Sequence, residues 1–153
     1  MVSSQLDSIL KDFEFFFNCP LQADKNNSCL IKMGSGVSVQ MELTSHGQLL
    51  IGSPIAVLPG GRFQDDVLKE AMKANGFYPP FSGIFGFLAN SNTLFLYLLA
   101  EPHRLNEEKI NQLLTPFTDK AKKWKDALEN GELPMVEEIA GSQAEKLPFG
   151  FKR

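Results

Sequence analysis

The side chains able to do chemistry are few and scattered along the chain. The only imidazoles are His46 in TSHG and His103 in EPHR. Neither stands in HExxH or a comparable zinc-ligand spacing, so both are expected on surface loops. No Gly-x-Ser-x-Gly elbow presents a nucleophile, and neither GSGVS nor LPGGRF completes the GxxxxGK[ST] phosphate cradle. The carboxylate pairs Asp65 and Asp66, Glu107 and Glu108, and Glu137 and Glu138 are sequence neighbours. Neighbours on a helix diverge by about 100°, so these pairs read as solvated helix starts rather than as an acid and a base converging on one substrate. An enzyme, a cofactor and a metal site are therefore not expected.

Two further sets have chemical potential. Cys19 and Cys29 can pair in principle. The N-terminus MVSSQLDSILKDF has no cationic stretch before a long apolar run, so no secretory leader is read and the thiols are expected reduced. Lys120, Lys122, Lys123 and Lys125 surround Trp124. The tryptophan belongs to an apolar stripe and the lysines are expected on the wet side of the same helix. The net charge of −3 and a pI near 5.4 do not supply the basic face a nucleic-acid partner requires. The longest apolar run, LFLYLLA, is far shorter than the roughly 20 residues of a membrane span. A cytoplasmic protein without membrane insertion is expected.

The elements that must carry these residues follow from periodicity. At 153 residues one domain is expected over 1–130, with a flexible tail over 131–153. Leu6, Ile9, Leu10, Phe13, Phe16 and Phe17 recur at spacings of three and four and predict one helix over 3–17, closed by Cys19 and Pro20. SCLIKM, VSVQMEL and QLLIGSPIAVL predict three strands in an antiparallel meander, the third irregular between Gly52 and Pro54. PGGRFQDDVLKEAMKANG predicts a second helix stopped at Gly76. GIFGFLA and TLFLYLLAE predict a hairpin turning at Asn90, Ser91 and Asn92. Ile110, Leu113, Leu114, Phe117, Ala121, Trp124 and Leu128 predict a third helix opened by Asn106, with Pro116 kinking it rather than splitting it because the stripe stays in phase. The order helix, three strands, helix, two strands, helix makes an α+β fold, an antiparallel sheet packed by helices.

This chain carries more apolar surface than such a domain can hide. Phe15 points roughly 180° from the stripe of its helix. In the second helix Leu68 and Met72 lie about 100° beyond the stripe of Phe63, Val67 and Ala71. In TLFLYLLA both alternating sets are apolar, and its partner strand repeats the pattern with Ile84 and Leu88 against Phe85 and Phe87. Surplus of this kind marks a surface for another polypeptide; the alternative is that the three helices and the tail wrap both faces of the sheet.

In this order of elements the chain resembles the class I chaperones of bacterial type III secretion, the Tir-chaperone (CesT/SycE-like) family. GVSVQMELTSHGQLLIGSPIAVLP is similar to that family's second and third strands and turn into the second helix. GIFGFLANSNTLFLYLLAE, with a long helix ending in AKKWKDAL, is similar to its last hairpin and terminal helix. The resemblance covers residues 3 to about 130; Pro116 and the tail depart from it. It implies a secretion-chaperone-like fold and a homodimer that binds the N-terminal segment of a secreted effector. It also implies that the segment is kept extended and delivered to the export apparatus, with the secretion ATPase or sorting platform as a further partner. Client contacts would fall on Phe15, Phe16, Ile31, Met33 and Val37, and dimer contacts on Val67, Leu68, Met72, Phe85 and Phe87. An adapter of the same fold that binds folded partners outside secretion is the alternative.

Overall fold

The computed structural model describes residues 5–76 and 82–134. In chain order the elements are α1 (Gln5–Lys11), α2 (Glu14–Phe17), β1 (Ser28–Lys32), β2 (Ser38–Leu43) and β3 (Leu49–Val57). Then come α3 (Arg62–Gly76), β4 (Ile84–Leu88), β5 (Thr93–Ala100), a 3-10 turn (Pro102–Arg104) and α4 (Glu107–Glu129). The strands form one antiparallel sheet in the order β1-β2-β3-β5-β4. The α+β arrangement read from the sequence is thus present, with the hairpin joined to the meander through β5.

The first helix is not continuous over 3–17. It ends at Lys11 and restarts as a single turn at Glu14. The junction tightens: Asp12 and Phe13 donate to carbonyls three residues back, those of Ile9 and Leu10, at 3.0 Å each. Asn18 then closes α2 with φ 55°, a left-handed conformation that asparagine tolerates. The chain returns toward β1 on two carboxylates. Glu14 Oε2 accepts from the Leu21 amide at 2.7 Å and Asp7 Oδ1 from the Ala23 amide at 2.8 Å.

Two other expectations shift by less. The irregularity in β3 falls between Pro54 and Ala56, not between Gly52 and Pro54. The bulge thus follows directly after the proline. The helix α4 runs unbroken through Pro116, capped by Asn106 Oδ1, which accepts from the Lys109 amide at 2.9 Å. Two turns of buried apolar residues on each side hold it, and the Thr118 hydroxyl donates to Leu114 O at 2.9 Å beside the missing amide. Gly131 follows its end with φ 71°, its N–H donating to Leu128 O at 3.1 Å. Leu133 then packs against the core and Pro134 is buried. The rest of the expected tail and the FYPPF linker lie outside the described residues.

A single core joins the elements. Leu6, Leu10 and Phe13 from the N-terminal helices, Val67 and Ala71 from α3, and Ile110, Leu114, Phe117 and Trp124 from α4 all enter it. The sheet contributes one alternating set per strand: Cys29 and Ile31, Val39 and Met41, Leu49, Ile51 and Ile55, Leu94, Leu96 and Leu98, and Phe85. Burial of a large aliphatic side chain is worth about 1.5–3 kcal/mol, so this face dominates the stability of the protomer.

Candidate functional site

The opposite face of the sheet has no helix over it among the described residues, and the register shows what it is made of. One row runs Leu30, Gln40, Gly52, Tyr97, Ile84 across all strands. The rows beside it carry Glu42, Leu50 and Leu99 on one side, and Lys32, Ser38, Pro54, Phe95 and Gly86 on the other. The β1–β2 half is polar apart from Leu30. The β3–β5–β4 half is apolar, and Ile84, Leu88 and Leu99 are all exposed. Here glycine serves close approach: a Cβ on Gly86 would lie 2.6 Å from Phe95 Cζ, because that ring lies over the glycine. Phe95 and Tyr97 pack with centroids 5.6 Å apart. The β5 strand, expected buried on both faces, is buried on one within the protomer.

The sheet has two edges of different character. In β1 the Met33 amide donates to Val37 O at 2.8 Å, which sets the alternation: Cys29 and Ile31 bond toward β2 while Ser28, Leu30 and Lys32 point outward. Asp24 takes up Ser28, donating its amide to Ser28 O at 2.7 Å and accepting the Ser28 amide on Oδ1 at 3.1 Å. The outward amides and carbonyls of Leu30 and Lys32 have no partner among the described residues, and the Leu30 side chain is 55 % exposed. At β4 the outward residue is Phe85. The Asn75 side chain spans it, donating Nδ2–H to Phe85 O at 2.9 Å and accepting the Phe85 amide on Oδ1 at 2.8 Å.

The sequence-named residues fall into two groups. Of the client set, Phe15 is 40 % exposed, and Phe16 and Met33 are half-buried. Ile31 and Val37 are buried in the protomer core, because their strand positions face the helices. Phe16 and Phe17 meet edge to face at 5.1 Å, so α2 presents Phe15 outward on an aromatic base. Of the dimer set, Met72 is 73 % exposed and Leu68 and Phe87 are half-buried. Val67 and Phe85 are closed inside, Phe85 against Trp124 at 4.3 Å between centroids. Phe63, expected in the inner stripe of α3, is exposed, and Glu70 is buried there instead, with Lys73 at 2.9 Å. Leu30 and Asn75 were missed. Leu30 was visible as the odd member of the alternation Cys29, Leu30, Ile31; Asn75 had no signal, because its role exists only when α3 reaches β4.

The remaining chemistry-bearing groups are arranged as follows. Lys120 is not on the wet side. It is half-buried, 4.9 Å from the Phe85 ring centroid, with Nζ donating to Gly83 O at 3.2 Å, and burial pushes its pKa below the ordinary lysine value. Lys122 pairs with Asp126 at 2.9 Å and Lys125 with Glu129 at 3.4 Å, so two of the cluster's four lysines are paired on their own helix. Both cysteines are free: Cys19 is exposed, while burial raises the pKa of Cys29. His46 and His103 are exposed. Among the described residues no three His, Cys, Asp or Glu side chains gather to hold a metal, and no helix is long and apolar enough to cross a membrane.

The profile of the Tir chaperone protein (CesT) family matches residues 8–125. No curated protein matches the chain. Among solved structures, a chain of the ExsC–ExsE complex superposes with a TM-score of 0.63 at 21% identity, over 82% of this chain and 94% of that one. A chain of the HopA1–SchA chaperone–effector complex gives 0.60 at 15% identity, over 78% and 92%. The Yersinia pestis type III secretion chaperone SycH, in complex with a fragment of YscM2, gives 0.57 at 15% identity, over 78% and 99%. At these identities the likeness is one of fold.

Proposed function

Because the chain belongs to the Tir chaperone protein (CesT) family, we propose that it binds the N-terminal segment of a secreted effector, keeps it extended and hands it to the type III export apparatus. The relatives of like fold include a chaperone–effector complex and a secretion chaperone with a bound fragment, which supports this reading. The observation that carries it is an unpaired strand edge, the outward backbone of Leu30 and Lys32, on a chain whose Leu30 and Phe15 both stand out of the surface. An extended segment adds to that edge through main-chain hydrogen bonds and seats alternate side chains among Phe15, Phe16, Leu30 and Met33. Ile31 and Val37 support the site from below. Ordering a flexible client costs entropy, so a broad apolar footprint is required to offset it.

The second surface, the apolar half of the open face with Leu68, Met72 and Phe87 at its α3 border, takes a second copy of the chain. The complex works in the cytoplasm, without catalysis of its own, and meets the secretion ATPase or sorting platform when it delivers its client.

The test is co-expression with the protein encoded beside this one. Copurification of that neighbour's isolated N-terminal segment, lost in the Phe15→Asp, Leu30→Asp double variant, is the expected result. Binding of the folded full-length neighbour but not of its segment would instead identify an adapter. Sedimentation should give a species of twice 17.0 kDa; a monomer at micromolar concentration removes the second-copy assignment.

A further inference from the structure

Every open sheet has two edges, and each is a template for another strand unless something covers it. In this protein both edges are five-residue strands, yet their outward backbone groups are treated differently. Along β4 they are met by side chains from two helices. Asn75, near the end of α3, matches Phe85 with one donor and one acceptor, at 2.9 and 2.8 Å. A carboxamide has the donor and acceptor of a peptide unit, so Asn75 completes the ladder as a one-residue strand would. Two residues earlier, Gly83 O accepts from Lys120 Nζ of α4 at 3.2 Å. In a trans peptide the carbonyl points opposite to the following amide, so Gly83 O points away from β5, toward which the Ile84 amide is turned, and addresses the same edge as Phe85. Of that edge only Phe87 is left without such a partner among the described residues. Along β1, Asp24 meets only Ser28, at the strand's start, and Leu30 and Lys32 remain open.

We propose that Asn75 and Lys120 are specificity-determining residues: they seal the β4 edge and so confine strand addition by an extended polypeptide to β1. The proposal rests on the client-binding reading above and adds the direction it takes. A client that could enter at either edge would bind in two poses with opposite surroundings, the apolar half of the open face and α3 at β4, the polar half of that face at β1. The seal removes one pose without any contact to the client. It also keeps the β4 edges of two copies from pairing, leaving association to the apolar face.

Backbone amide exchange followed by NMR on the full chain tests this, with the soluble strand-forming peptide Lys-Thr-Val-Thr-Val-Thr-Lys as probe. In the Asn75→Leu variant the Phe85 amide should exchange about tenfold faster, the loss of one hydrogen bond, while Leu94 and Leu96 stay protected. An unchanged Phe85 rate overturns the seal. With peptide added, the unsubstituted protein should show slowing at Leu30 and Lys32 only. The Asn75→Leu, Lys120→Met double variant should show slowing at Phe85 and Phe87 as well, and two peptides bound instead of one. No slowing at β4 in the double variant overturns the seal, whatever happens at β1. No slowing at Leu30 and Lys32 overturns the client-strand reading, whatever happens at β4. If the double variant does not fold, Asn75→Asp serves: it keeps the acceptor for the Phe85 amide and loses the donor to Phe85 O, so peptide should slow Phe87 to an intermediate degree. No slowing there counts against the seal.

Discussion

The two faces of β5 are close to a controlled experiment. Leu94, Leu96 and Leu98 look one way, Phe95, Tyr97 and Leu99 the other, and by composition either set is fit for a core. The first set is buried to 8 % exposure or less, whereas Leu99 remains 49 % exposed. The helices decide this. Packing density does not distinguish leucine from leucine, so an apolar row is a core where α4 lies on it and an interface where nothing of the same chain does.

Alanine at matched positions should widen that contrast most. On the covered face Leu96→Ala leaves a cavity among fixed neighbours and should cost about 2–5 kcal/mol in chemical denaturation of dilute protein. Leu99→Ala should stay within about 0.5 kcal/mol for the dilute protomer, as surface changes do, while weakening self-association in sedimentation. Equal losses at the two positions in the monomer would break the comparison.

Glycines give a second, smaller contrast. A Cβ on Gly83 would meet Leu96 Cγ at 2.8 Å and Phe117 Cδ2 at 3.1 Å, inside the core, and its φ of 113° strains any other residue. Gly83→Ala should lower stability by roughly 1–3 kcal/mol, read from the shift in denaturation midpoint. Gly86→Ala meets only the ring of Phe95 on the open face. That ring can swing outward, so the protomer should lose well under 1 kcal/mol on the scale of surface changes, and the effect should appear as weaker association of copies.

Least in size is Ser53. Its hydroxyl is buried beside the apolar residues of β3 and has no hydrogen-bond partner among the described residues. Removing an unsatisfied hydroxyl relieves its desolvation cost, so Ser53→Ala should be neutral to slightly stabilising, by up to about 1 kcal/mol. A clear loss of stability in thermal melts would mean that the hydroxyl has a use on the covered face.

Much of the scaffold could be read in advance because it is written in short-range periodicity. Alternation in VSVQMEL placed Val39 and Met41 inside, and the in-phase stripe across Pro116 predicted one long helix. Phe15, on the far side of its helix, emerged as expected. The break at Asp12 and Phe13 was not legible, since the apolar spacing continues through it and the tightening depends on carboxylates anchoring Leu21 and Ala23 from a distance. Among the site residues, Met72 is exposed, while Ile31, Val37, Val67 and Phe85 turn inward. Residue type could not separate these cases, because an interface position and a core position ask for the same side chains.

What the sequence determined alone is the five strands and the two longer helices, their amphipathic sides and the excess of apolar surface, all consequences of hydrogen-bond geometry repeating every 2 or about 3.6 residues. Tertiary structure decided which side became the core, which edge stayed open and which was closed by Asn75 and Lys120. Those outcomes join residues 10 to 37 positions apart, over which local periodicity carries no information.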